Sequence, residues 1–264
     1  MPHTTTRDSC RIFYEASRLS DDRPTVVLLN GMTQSTAHWN KHVDALEAFG
    51  VVTYDARGQG QSDLGDSEIT LDRHADDLAM VLDELSVETA HLVGFSHGAR
   101  VALGFARHHG GRLDRLVLCS ATSSPNALAR TIVRGWRGVL EHGDLSGLAW
   151  ASLPMILGND FLESHENILE GIVRATVQRN SEEGVRALLE AMEHYPTVTE
   201  LAADVDTPTL VMSATEDPLV TREGARELAD LTGGDHVEID GVGHTVPIEA
   251  PEEFRAHVKR FING

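Results

Sequence analysis

The stretch HLVGFSHGARVAL, residues 91–103, decides the fold. It begins as an apolar run, breaks at Gly94, carries one serine, and resumes with helical spacing. TAHLVGF (89–95) reads as a strand and HGARVALGFARHH (97–109) as a helix. Ser96 then stands at the carboxyl end of a strand, where open α/β sheets bind their ligands. The string GFSHG fits G-x-S-x-G. A strand-to-helix turn this tight strains its central residue, and side chains two positions to either side would crowd the strand and the helix. Gly94 and Gly98 leave that room. The serine oxygen projects above the sheet, and the first N–H groups of the helix point at the same place, which suits a developing oxyanion.

Outward from this turn, short apolar runs alternate with amphipathic stretches. Strands are expected at 11–17, 25–30, 51–56, 114–121, 207–214 and 236–240. TVVLLN (25–30) is a continuous β-branched and leucine run, as a strand covered on both faces should be. Helices are expected at 38–49, 70–85, 222–231 and 251–262. In the second of these, Leu71, Ala75, Leu78, Leu82 and Leu85 share one face. The alternation predicts an α/β fold with a mostly parallel sheet covered by helices on both faces. Residues 123–200 break the rhythm. Three helical stretches (126–142, 161–179 and 181–195) follow one another there without a strand. The expected organisation is a core of residues 1–122 and 201–264, with residues 123–200 as a helical lid inserted over the carboxyl edge of the sheet.

A serine hydroxyl is a poor nucleophile until a base takes its proton. The chain has 14 histidines, so position must select among them. His244, in DGVGHTVPIEAPEEF, follows the strand HVEID in a glycine-rich loop that can reach Ser96. Asp217, in LVMSATEDPLV, follows another strand and is held by Pro218, whereas its neighbour Glu216 is not. A carboxylate there would fix the tautomer of His244 and stabilise its charged form. The loop NGMTQSTAHW after TVVLLN offers the Met32 N–H as one oxyanion donor, and the residue after the serine, His97, offers the other. The ring of His97 could also face the pocket. Asn30 and Gly31 at the base of that loop, and Trp136, Trp150, Met155 and Phe161 in the helical segment, are candidates for contact with an acyl group. For the last four, packing of the segment onto the core is the alternative. Arg130, Arg134 and Arg137 stripe one helix face, which is either solvated or a dock for an acidic acyl-carrier protein.

The formal net charge is −19. Such a surface repels nucleic-acid phosphates and anionic lipid heads, and the sequence shows no basic groove. No apolar run approaches membrane-spanning length. No signal segment is read at the start, so the expectation is a cytoplasmic protein. Cys10 and Cys119 form no CxxC pair, and no clustered metal ligands or cofactor fingerprint are read. Neither a metal nor a cofactor is expected.

Taken together, these stretches resemble the α/β-hydrolase family over nearly the whole chain. Residues 30–39 are similar to its H-G-x-x-x-S-x-x-x-W loop, with Asn30 in place of the histidine, and YDARGQGQSD (54–63) to its D-x-R-G-x-G-x-S stretch. GFSHG, ATEDPLV and GVGHTVPIEAPEEF follow the family's order of nucleophile, acid and histidine. The resemblance implies an eight-stranded-type sheet with a lid. It also implies Ser96 as nucleophile, Asp217 as acid and His244 as base, acting on a small-molecule ester, lactone or thioester. Two other readings use the same residues. One is a cofactor-independent dioxygenase or carbon–carbon-cleaving enzyme that works through the His244–Asp217 pair. The other is a ligand receptor on a hydrolase scaffold. Epoxide hydrolases and haloalkane dehalogenases of this fold need aspartate where Ser96 stands.

Overall fold

The computed structural model describes residues 2–264. In chain order the elements are β1 (His3–Thr5), β2 (Arg11–Ser17), β3 (Thr25–Leu29), α1 (Asn40–Ala45), β4 (Gly50–Tyr54), α2 (Leu71–Glu84), β5 (Ala90–Phe95), α3 (His97–His109) and β6 (Leu113–Cys119). Six helices follow: α4 (Ala127–His142), α5 (Leu145–Ile156), α6 (Asn159–Ser164), α7 (Leu169–Arg179), α8 (Glu182–Ala191) and α9 (Val198–Ala202). The chain then returns to the sheet through β7 (Thr209–Ala214), α10 (Arg222–Leu231), β8 (Asp235–Ile239), α11 (Val246–Glu249) and α12 (Pro251–Ile262).

Eight strands form one sheet in the order β1-β2-β4-β3-β5-β6-β7-β8. β1 and β2 pair antiparallel with their neighbours, and from β4 to β8 every pairing is parallel. Parallel strands need helical crossovers, so both faces are covered. The strands read accordingly: every residue of β3, β4, β5 and β7 is buried. Alternate side chains divide between two cores. On β6, Leu116 and Leu118 join the α2, α3, α9 and α10 side, while Val117 and Cys119 join the Trp39, Phe254 and Ile262 side. Each such fully buried aliphatic side chain contributes about 1.5–3 kcal/mol.

Three expectations are corrected. The helix expected at 38–49 is a 3₁₀ turn at Thr36–Trp39 followed by the short α1, and residues 47–49 turn into β4. The stretch 161–179 is not one helix. It breaks at His165, where the Ser164 hydroxyl donates to the Asp160 carbonyl and the His165 ring reaches the Phe161 carbonyl, so side chains compete for the acceptors that helix continuation needs. α5 has no counterpart in the sequence reading. Gly147, Ser152 and an internal Pro154 hide it, and it is started by Asp144, whose carboxylate accepts the Gly147 N–H at 2.7 Å.

Helices α4 to α9 stand between β6 and β7 and carry two apolar clusters of their own. The chain rejoins the main core at Tyr195, and α9 packs there through Val198, Leu201 and Ala202. The boundary expected at residue 200 therefore falls within α9.

Candidate active site

Ser96 is the hinge between β5 and α3. Its backbone lies at φ 52°, ψ −112°, a region that L-residues occupy only under constraint. The constraint is visible at the two glycines. A Cβ on Gly94 would sit 2.5 Å from the Gly98 carbonyl oxygen, and one on Gly98 would sit 2.4 Å from that of Leu29. The turn closes only because both are bare, and it holds Ser96 half-buried at the carboxyl edge of the sheet.

Two other loops at that edge meet the serine. His244 Nε2 lies 2.8 Å from Ser96 Oγ, and His244 Nδ1 lies 2.7 Å from Asp217 Oδ2. The Asp217 side chain is fully buried, and its other oxygen accepts the N–H groups of Leu219 and Val220 at 2.8 and 3.1 Å. Those two donors fix the carboxylate, which orients the imidazole in turn. Glu216 faces elsewhere: its carboxylate accepts the Asn159 N–H at 2.9 Å. Phe95 packs beneath, with its ring 5.5 Å from that of His244.

The β3–α1 loop supplies the third side. His97 is the first residue of α3, so its N–H has no acceptor within the helix. The Met32 N–H finds no backbone acceptor among the described residues. Asn30, which stands in place of the family's histidine, braces this loop from below. It accepts from Trp39 Nε1 at 2.6 Å and donates to the Tyr54 carbonyl at 2.9 Å. Asp55 ties the same loop to the end of β4 by accepting the Thr36 N–H at 2.7 Å and the Gln61 N–H at 2.9 Å. A Cβ on Gly31 would come within 2.6 Å of the Phe95 ring, so any larger residue there would displace that ring.

The His97 ring is buried and turned away toward α2. Its Nε2 lies 3.3 Å from the Tyr195 hydroxyl, and its ring makes an edge contact with His74, 5.1 Å between centroids. Burial holds both imidazoles well below the usual histidine pKa, His74 at about 3, so both are neutral.

Of the expected acyl-group contacts, Trp136 and Met155 join one cluster of the helical segment, against which Met32 packs. Phe161 belongs to a separate cluster and stacks on His165. Trp150 is 46% exposed and joins neither. In the arginine stripe, Arg137 pairs with Glu193 and Arg130 donates to the Pro125 carbonyl, which leaves Arg134 exposed.

Two supporting residues had no signal in the sequence. Ser120, at φ 55° after β6, donates to the His244 carbonyl at 2.7 Å. Glu249 gathers the N–H groups of Gly243 and Thr245 at 3.1 Å each, the Thr245 hydroxyl at 2.7 Å, and the Gly158 N–H at 2.7 Å. It thus binds the segments flanking His244 to the α5–α6 connection. Glu249→Ala leaves three backbone donors without this acceptor, each worth about 1–3 kcal/mol where water cannot replace it. We expect the variant to lose about 2–4 kcal/mol in urea unfolding; a loss under about 0.5 kcal/mol would show that these contacts do not hold the loop.

The sequence matches the profile of the Alpha/beta hydrolase family over residues 26–257. The chain belongs to this family. "Putative carbamate hydrolase RutD" of a Caulobacter species (strain K31) is 29% identical over 250 residues, covering 93% of this chain and 92% of that protein. The 3-oxoadipate enol-lactonase 1 of Acinetobacter baylyi is 27% identical over 241 residues, covering 89% and 86%. Among solved structures, the enol-lactonase from Burkholderia xenovorans LB400 superposes with a TM-score of 0.90 at 25% identity, covering all of both chains. The protein is a hydrolase on the α/β-hydrolase fold. No helix among the described residues is long and apolar enough to cross a membrane.

Proposed function

We propose that this hydrolase cleaves a small carboxylic ester, lactone or thioester through an acyl-enzyme on Ser96. The observation that carries the reading is the continuous chain from Ser96 Oγ to His244 Nε2 and from His244 Nδ1 to Asp217, at 2.8 and 2.7 Å. Nε2 takes the serine proton as Oγ attacks the carbonyl carbon. The tetrahedral oxyanion accepts the N–H groups of Met32 and His97, at the positive end of α3. His244 passes the proton to the leaving oxygen or sulfur as its bond to the acyl carbon breaks. Water, deprotonated by the same imidazole, then releases the acid and restores Ser96.

The enol-lactonase relatives and the RutD relative support an acyl substrate. The apolar Trp136–Met155 cluster beside Met32 favours an uncharged acyl portion. The acidic surface disfavours free polyanionic substrates.

The test is covalent labelling. A fluorophosphonate should add one label per chain on the peptide carrying Ser96, and prior incubation with a slowly turned-over p-nitrophenyl ester should slow it. A panel of short p-nitrophenyl esters, lactones and acyl thioesters then ranks substrates. Labelling elsewhere than Ser96, or none, would remove the acyl-enzyme from the mechanism.

A further inference from the structure

Six residues other than glycine have positive φ among the described residues: Ser9, Arg18, Thr33, Ser86, Ser96 and Ser120. Thr33 is the only β-branched one, and a β-branched residue at φ 63° is a true backbone outlier. It directly follows Met32. The Gln34 N–H closes back on the Gly31 carbonyl at 3.3 Å, so Gly31–Gln34 is a β-turn, with Thr33 at a third position suited to glycine. The Met32 N–H lies in the Gly31–Met32 peptide, the first arm of this turn. Relaxing Thr33 to an ordinary φ rotates the central Met32–Thr33 peptide, and the turn must re-form with a new path from Gly31, which re-aims that N–H. Strain of this kind persists only where the surroundings over-determine it.

Within the turn, the Gln34 side-chain oxygen accepts the Gly31 N–H at 3.2 Å and the Thr33 hydroxyl donates to the Met32 carbonyl at 2.6 Å. The restraint on the Thr33 carbonyl comes from the inserted helices. Asn180, in the connection between α7 and α8, donates through its side-chain amide to the Thr33 carbonyl at 2.9 Å and to the Thr176 carbonyl at 3.0 Å. Both partners are carbonyl oxygens, so the side chain must present its NH₂ group. Its own oxygen is buried and has no partner among the described residues. A residue serving only to finish α7 would need just the Thr176 contact, and an unpaired buried acceptor is a cost that such a cap would avoid. The same loop is held from the sheet side by Asn30 and Asp55, but those contacts fall on either side of Thr33, at the end of β3 and at Thr36.

We propose that Asn180 is a positioning residue for the oxyanion site: by holding the Thr33 carbonyl it keeps the strained turn, and with it the Met32 N–H, in the orientation that acyl transfer uses. The inference rests on the acyl-transfer reading of Ser96. It makes docking of the inserted helices a condition for assembling one oxyanion donor, beyond any part they play in covering the substrate.

The test is a double-mutant cycle with p-nitrophenyl acetate as probe. Asn180→Ala should lower kcat about tenfold, keep KM within about twofold, and slow fluorophosphonate labelling in parallel. In a Thr33→Gly background, where the turn costs no strain, the same substitution should lower kcat less than threefold. A merely structural role would lower thermal stability and leave the cost in kcat alike in both backgrounds. That result, or an unchanged kcat in Asn180→Ala, would overturn the proposal. If Asn180→Ala does not fold, Asn180→Asp, isosteric but without the donor, takes its place with the same expectations. Ser96→Ala is measured alongside. Undiminished turnover there removes the acyl-enzyme reading and this inference with it, whereas an inactive Ser96→Ala beside a fully active Asn180→Ala removes the inference alone.

Discussion

Ser96→Ala is expected to lower kcat for a p-nitrophenyl ester by on the order of 10⁶-fold, and His244→Ala by a similar factor, because the two act as one unit. The double variant should be little slower than either single one. Asp217→Asn tests a different link. The amide can still accept the Leu219 and Val220 N–H groups that now hold the carboxylate, so the loop keeps its anchor. It cannot stabilise an imidazolium, and it favours the wrong tautomer of His244, at a cost of about 10⁴-fold. Substrate binding should change little in all three, since these groups act on the transition state and contribute little to binding the ground state. Proton abstraction without an acyl-enzyme makes the opposite prediction for the serine: Ser96→Ala would retain most of its turnover while His244→Ala would lose it. A Ser96→Ala variant within tenfold of the parent rate would therefore end the acyl-enzyme mechanism.

The site-forming elements that sequence could reach share one property: each is specified within a few residues. Gly94, Ser96 and Gly98 announce a turn because only bare positions two residues away let the strand meet the helix. Pro218 and the preceding strand mark Asp217 rather than Glu216, and the structure turns Glu216 toward Asn159 instead. What could not be read is specified across the chain. Asn180 meets Thr33 over 147 positions and Ser120 meets His244 over 124, with no periodicity or motif linking them. Tyr195 reads in the sequence as the end of a helix and is a core residue against His97. α5 was illegible for a local reason: its proline and small residues lower helix propensity, and packing of Leu145, Leu148, Ala149 and Leu153 into the segment's clusters offsets that cost. Trp150 shows the limit of reading aromatic residues as pocket walls, since nothing in its local sequence distinguishes an outward face from an inward one.

Acid is expected to unfold this protein well above the carboxylate range, because its interior holds histidines that must stay neutral. His42, His74 and His97 are 4%, 1% and 2% exposed, and burial lowers each, His42 to about 4 and His74 to about 3. In the unfolded chain each titrates near ~6.5. Below that pH the unfolded state binds protons that the folded state refuses, so stability is full above about 6.5 and falls as the pH drops toward the folded values. Each such histidine contributes about 1.4 kcal/mol per pH unit, and these three together about 4 kcal/mol per unit. His38 and His91, also lowered by burial, act in the same sense. Asp55 and Asp77, raised by burial, act in the opposite sense, but only as the pH approaches the carboxylate range. Between pH 6.5 and 5 the histidines dominate, and the expected loss of about 6 kcal/mol is comparable to the whole stability of an ordinary domain. Urea unfolding at pH 7, 6 and 5 measures it. His74→Phe keeps the ring contacts with His97 and Tyr195 and removes two nitrogens that have no partner among the described residues, so it should cut the slope by one histidine's share, about 1.4 kcal/mol per pH unit. A stability that stays level from pH 7 to pH 5, or a slope that His74→Phe leaves untouched, would mean that these imidazoles take up protons without opening the fold.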